Sequence, residues 1–292
     1  MDIARLERWS GPTVRRMLLG SELRKAREAR GMTRGEAGHY IRGSESKISR
    51  MELGRVGFKV RDVEDLLKLY GVTDKVQVQT MVKLARESKK PGWWQDYGDS
   101  LPNWFQVYVG LEEAATRIRV YEAQFVPGML QTEEYARAVI AAARPVPDPV
   151  AEHRVAVRMR RQRHIEGNSG CKLWAIIDEA AVRRPVGGPD VMRGQLERLE
   201  KLSERSNITL QIIPFSAGAH AAEAGSFTIL RYPDFGLSDI VYLEQLTGSM
   251  CLDRRGEIDQ YTMAMERLSV IAEQPDRTPE ILRGMIDDLA AE

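Results

Sequence analysis

Apolar residues recur every three to four positions through the first part of the chain, and in alternation or short unbroken runs through much of its last third. The first spacing is that of a helix with one buried face, the second that of strands. Leu19, Leu23 and Ala26 predict a helix over 20–30, with Ser21 able to cap it and Gly31 to stop it. Thr33, with Glu36 three residues on, forms a capping box for a second helix, TRGEAGHYI. After an RGS break, Ser44 caps a third helix, ESKISRM, whose inward positions are Ile48 and Met51 and which Gly54 ends. Val63, Leu66, Leu67 and Tyr70 predict a fourth helix over 61–70, and Val78, Met81, Val82 and Ala85 a fifth over 74–88.

Lys89, Lys90, Pro91 and Gly92 form a helix-breaking joint. An aromatic cluster follows, including Trp93, Trp94, Trp104, Phe105 and Tyr108. Helical spacing then returns over 102–117, 132–143, 148–166 and 189–205. CKLWAIID (171–178) reads as a buried strand, and further strand patterns cover 208–215, 226–232, 239–246 and 249–253 before two closing helices. The fold class implied is α+β overall. An all-α helix-turn-helix domain over 1–90 precedes a larger α+β domain over 91–292 with an antiparallel sheet.

Charge sharpens this division. Residues 1–70 hold 16 Lys/Arg against 10 Asp/Glu, and the remainder holds 27 against 32. A basic segment joined to an acidic one points to a polyanionic partner for the first, although an uneven split alone leaves that open. No apolar run is long enough for a membrane span. The charged start, MDIARLERWSG, does not read as a secretory leader. Cys171 and Cys251 lie far apart without metal-ligand spacing, which argues against a disulfide framework or structural zinc and fits the cytoplasm.

Two short helices joined by a tight turn can set the second into the DNA major groove while the first crosses the backbone. Turning Ile48 and Met51 inward leaves Glu45, Ser46, Lys47, Ser49 and Arg50 outward or along the rim. Arg50 is able to donate two parallel hydrogen bonds to guanine. Ser44, Lys47 and Arg55 suit phosphate contacts.

The segment LRKAREARGMTRGEAGHYIRGSESKISRMELGR resembles the Xre, or phage repressor-like, helix-turn-helix family. The resemblance implies that Thr33 and Arg34 open the second helix, with Arg34 at the DNA backbone, and that Glu45, Ser46 and Arg50 read bases. It further implies a buried ion pair between Arg27 and Glu52. Two departures stand out. The family usually has glycine where Arg42 stands, and here glycine comes one place later, at Gly43. It often has glutamine where Arg34 stands. Beyond the joint, VPGMLQTEEYARA, DEAAVRRPVG, ITLQIIPFSAGAH and DIVYLEQL are similar to the C-terminal half of WhiJ-like regulators of actinomycetes. That likeness implies a regulator of development or secondary metabolism and a small acidic protein partner, in an arrangement compared to antitoxin–toxin pairs.

The second domain offers candidates of lower specificity. Trp93, Trp94 and Trp104 suit either core or a partner-binding groove. Arg160 and Arg161, in RVAVRMRRQRH, suit a solvated helix face, an extension of the DNA contact or an acidic partner protein. His220, in PFSAGAHAAEAGSF, lies between two strands where either a ligand loop or a plain connection fits. The four histidines are scattered, and GxSxG, P-loop, HExxH and strand-linked GxGxxG patterns are absent. Asp178-Glu179 suits a carboxylate pair or a helix cap. The expectation is a non-enzymatic, homodimeric regulator bound to double-stranded operator DNA, with no cofactor and no metal. The alternatives are an adaptor with only nonspecific DNA binding and a regulator with a small-molecule effector in the second domain.

Overall fold

The computed structural model describes residues 12–143, 147–167, 170–232 and 238–291. The stretch 1–11, where no leader is expected, lies outside them. The described chain divides into two compact units. One runs to Asp96 and takes back Gln106–Ala114; the other holds Tyr97–Phe105, Ala115–Tyr232 and the chain from Ser238 onward.

The first unit opens with α1 (Pro12–Ala29), which starts well before the expected 20–30. Val14, Met17 and Leu18 extend its buried stripe toward the N-terminus. Gly20 sits inside this helix where a glycine ordinarily costs about 1 kcal/mol against alanine. A Cβ there would lie 2.4 Å from the Met51 carbonyl oxygen, so only glycine lets the two backbones meet. Next come α2 (Arg34–Tyr40), α3 (Glu45–Glu52), α4 (Val60–Leu69) and α5 (Lys75–Glu87). Their shared core includes Leu19, Leu23, Ala37, Ile48, Met51, Phe58, Leu67 and Met81. Burying each such large side chain is worth about 1.5–3 kcal/mol. After a 3-10 stretch (Trp93–Ser100), α6 spans Asn103–Ala114.

The second unit is built on a six-stranded sheet in the order β3-β2-β1-β4-β5-β6. Its strands are β1 (Arg117–Glu122), β2 (Lys172–Asp178), β3 (Ile208–Ile213), β4 (Phe227–Arg231), β5 (Ile240–Gln245) and β6 (Gly248–Leu252). The sheet is mixed rather than wholly antiparallel: β1, β2 and β3 are parallel, and β4, β5 and β6 add antiparallel. The reason lies in the connections. Between β1 and β2 stand α7 (Glu133–Ala143) and α8 (Asp148–Glu166); between β2 and β3 stand α9 (Glu179–Arg183) and α10 (Pro189–Ser203). Helical crossovers of that length return the chain for parallel pairing, whereas the short β5–β6 link makes a hairpin. β1 itself falls where the helical reading of 102–117 ended, and its alternation of Arg117, Ile118, Arg119, Val120 is a strand signal.

Alternation along the strands divides the core. Tyr121, Ile176, Ile213, Phe227, Ile229 and Val241 pack with Met265 and Leu268 of α11 (Arg255–Ile271). The closing helix α12 (Thr278–Ala291) carries Arg283, whose Nε lies 2.5 Å from Glu200 Oε1 on α10. Among the described residues no helix is long and apolar enough to cross a membrane.

Candidate nucleic-acid interface

The α2–turn–α3 device is fixed by local chemistry at both ends. Thr33 Oγ1 accepts the Glu36 N–H at 3.2 Å, and Glu36 Oε2 accepts the Thr33 N–H at 2.7 Å. The Thr33 N–H and the Thr33 hydroxyl, both donated to Glu36 Oε2, hold the Glu36 carboxyl below the usual carboxylate range. Ser44 Oγ accepts the Lys47 N–H at 3.1 Å and so starts α3. The turn between them needs one left-handed residue, and Arg42 supplies it with φ of 54°. It is the one non-glycine with positive φ among the described residues, at the position where the resembled family has glycine. Gly38 makes the turn tight, because a Cβ there would meet the Ser44 carbonyl at 2.9 Å.

Glu52, at the end of α3, binds two arginines from two other helices. Arg27 of α1 donates through Nε to Oε1 at 2.5 Å and through NH2 to Oε2 at 3.1 Å. Its NH1 donates to the Met32 carbonyl at 2.6 Å. Arg34 of α2 donates through Nε to Oε2 at 2.9 Å. The Glu52 side chain is 2% exposed, Arg27 8% and Arg34 32%, so the first two form the buried part of the set. Bonding to Glu52 raises the Arg27 pKa. Tyr70 lies close by. Burial, with the Glu52 charge second, lifts its phenol well above the ordinary value. Its buried hydroxyl has no hydrogen-bond partner among the described residues.

The outward face carries the other expected residues. Thr33, Ser44, Glu45, Ser46 and Arg50 are exposed, and Lys47, Ser49 and Arg55 are half-buried. Arg50 Nε donates to the Ser46 carbonyl at 3.3 Å, lying back along α3. Lys47 departs from the expectation of a simple phosphate contact: its Nζ lies 2.6 Å from Asp62 Oδ2 on α4. Arg34 departs likewise, since Glu52 already engages it. Both carboxylates cross between helices, so no spacing along the chain signals Asp62 as a partner.

The second-unit and aromatic candidates part company. Trp94 is core rather than binding surface, 2% exposed and packed against Gly92 and Gly110. Half-buried Trp93 donates through Nε1 to Glu113 Oε1 at 3.1 Å. Trp104 is half-buried and meets Phe105 edge-on at 5.9 Å. Arg161 is buried at 8% and lies over the Phe105 ring, whereas Arg160 is half-buried. The basic run of α8 is thus not a wholly solvated face, because the helix covers the segment Val126–Thr132. That segment's backbone is satisfied by amide side chains. Gln162 Nε2 donates to the carbonyls of Gly128 and Gln131, Gln195 Nε2 to that of Leu130, and Gln131 Nε2 to that of Val126. Arg158 NH1 in turn donates to Gln131 Oε1 at 2.8 Å. Burial, then the Arg161 charge, lowers the Arg158 pKa to about 10.

On the same side of the sheet, half-buried Glu122 has its carboxyl pushed up to about 7 by loss of water, with the Glu244 charge adding to the rise. Glu122 and Glu244 went unsuspected in the sequence. Asp178 caps α9, its Oδ1 accepting the Ala180 N–H at 2.9 Å. His220 lies beside it, Nε2 to Oδ2 3.6 Å. No group of three or more potential metal ligands occurs among the described residues.

Comparison with known families matches a helix-turn-helix domain to residues 18–79 and a domain of unknown function, DUF5753, to residues 105–284. No curated protein and no solved structure matches the chain. The helix-turn-helix match supports a DNA-binding regulator of transcription, Xre-like in kind. The second match takes in more than half of the chain, which therefore belongs to the DUF5753 family and carries a helix-turn-helix domain ahead of that region.

Proposed function

We propose that the chain is a cytoplasmic, homodimeric regulator of WhiJ-like design that sets Glu45, Ser46 and Arg50 against base edges in the major groove. The observation that carries the reading is the exposed first turn of α3, held by the Ser44 cap and presented beside the exposed Thr33 end of α2. Small polar residues there permit close approach, and helix N-termini favour phosphate. Thr33, Arg34, Ser44, Lys47, Ser49 and Arg55 hold the backbone. Lys47 and Arg34 exchange their carboxylates for phosphates on binding. Dimerisation follows from affinity, since a single such reading head seldom suffices and two-fold sites match two-fold proteins. Likeness of the VPGMLQTEEYARA and ITLQIIPFSAGAH segments to WhiJ-like regulators supports a repressor-like role in development or secondary metabolism and a small acidic protein partner.

A second reading, an adaptor that holds DNA only nonspecifically, draws on the internal pairing of Arg34 and Lys47. Fluorescence anisotropy on the protein's own upstream region, at two salt concentrations with scrambled competitor, separates the two. The regulator binds the upstream DNA against competition, and Arg50→Ala costs about 1–3 kcal/mol on that DNA alone. Equal, strongly salt-dependent binding to both DNAs favours the adaptor. A single-chain mass in solution, with and without DNA, removes the homodimer.

A further inference from the structure

The strand order imposes an unusual path on one connection. β3 finishes at the carboxyl edge of the parallel strands, and antiparallel β4 begins at that same edge beside β1. Residues 214–226 must therefore cross the ends of both β2 and β1, three strand spacings or roughly 14 Å. In open α/β sheets, crevices outside the carboxyl ends of parallel strands, where the strand order reverses, are the usual ligand sites. Here the crossing loop and the strand ends line a wide, open depression of about 460 Å3. That volume is within the range of about 300–1,000 Å3 typical of small-molecule sites.

Three polar side chains meet in it: Tyr121 from β1, Asp178 from β2 and His220 from the loop. His220 Nε2 lies 3.1 Å from the Tyr121 hydroxyl and 3.6 Å from Asp178 Oδ2. The other ring nitrogen, Nδ1, accepts the Ala222 N–H at 3.3 Å. In the neutral ring this places the proton on Nε2, which then donates toward Tyr121 and Asp178. The remaining lining is alanine and glycine, together with the exposed carboxylate of Glu223. No lysine or arginine is among the lining residues. An anion entering here would face two carboxylates with no cation to meet it. An ammonium group would bring three donors to a site rich in acceptors.

We propose that this depression binds a small organic cation, an amine-bearing metabolite whose ammonium is held by Asp178 and Glu223 while its apolar part rests on the alanine and glycine lining. The site stands independently of how the first unit reads DNA. A neighbouring depression of about 360 Å3 shares His220 and Glu223 and adds Arg267, so charges of both signs line it.

The test uses the full chain with 15N-labelled histidine, His220 being assigned among the four histidines by His220→Gln. Two probes of like shape and opposite charge, n-butylammonium and butyrate, are titrated. The proposal expects a saturable His220 ring shift with n-butylammonium in the millimolar range and none with butyrate. Asp178→Asn should weaken it roughly tenfold or more, the loss of one charge-assisted hydrogen bond. Should that variant fail to fold, Glu223→Gln, at an exposed position, serves instead and should weaken binding several-fold. Equal or preferential saturation by butyrate, no saturable shift with n-butylammonium, or unchanged affinity in the carboxamide variants overturns the assignment.

Discussion

Glu52 holds one carboxylate between arginines of two different helices, and the two contacts differ in kind. Arg27 is buried and spends three nitrogens on its partners, whereas Arg34 is about a third exposed. Glu52→Ala should destabilise the first unit by about 3–5 kcal/mol, since a buried guanidinium would be left without its counter-charge. Urea melts monitored by helix circular dichroism measure this; the double change Arg27→Met with Glu52→Leu should recover most of the loss. Lys47 and Asp62 allow a test of opposite sign. Asp62→Asn frees Lys47 and should raise affinity for any duplex DNA while steepening the salt dependence by about one phosphate. Unchanged nonspecific affinity would mean that Lys47 does not reach phosphate. The caps at Thr33 and Ser44 are legible in the sequence because they act over three residues. Asp62 is not, because it meets Lys47 only once α3 and α4 have packed.

Among elements, α1 meets the end of α3 backbone to backbone, with no room for a Cβ at Gly20. Replacing an ordinary helical glycine by alanine gains about 1 kcal/mol. Gly20→Ala should instead cost about 1–3 kcal/mol, because the new methyl would sit 2.4 Å from the Met51 carbonyl. Differential scanning calorimetry decides the sign, and a stabilised variant would show that the two helices separate freely. In the sequence Ser21 reads as the cap of a helix over 20–30. Buried Val14, Met17 and Leu18 carry it further upstream. β1 is a comparable case, its short alternation obscured by the helical pattern running into it. The sheet's parallel half depends on which strands neighbour each other in space, and periodicity carries no record of that. His220 was visible as a candidate, but Tyr121 and Asp178 become its companions only through the order β3-β2-β1-β4.

At the scale of the whole molecule, charge divides the two units in stability as well as in sign. Glu122 is pushed up to about 7, above the ordinary carboxylate value, and the Glu244 carboxyl is also raised, in both cases chiefly by loss of water. A carboxyl whose folded pKa is raised contributes stability that is full below its unfolded value and is lost as pH climbs through the folded one. Urea unfolding of the second unit, followed by near-ultraviolet signals, should therefore show a falling midpoint between about pH 5 and about pH 8. Glu122→Gln should flatten that slope. A wild-type midpoint that rises across the same interval would contradict the assignment. The joint at 89–92 is legible from composition, yet the chain returns to the first unit for Gln106–Ala114. Such a return depends on tertiary packing, with Gly110 lying against Thr13 and Trp94.

The carboxylates beside Arg34 and Lys47 have a consequence for where a DNA reader spends its time in the cell. A genome offers millions of sequences that present phosphates and nothing else. If these two cations hold phosphate as proposed, each such contact first has to displace Glu52 or Asp62, their partners within the protein. Random sequence provides no base contacts to offset that displacement, whereas an operator does. On the proposed reading of this interface, the internal pairing would act as a selectivity filter: it would shorten residence on irrelevant DNA, enlarge the freely diffusing pool, and let search, not storage, set the occupancy of the rare correct site.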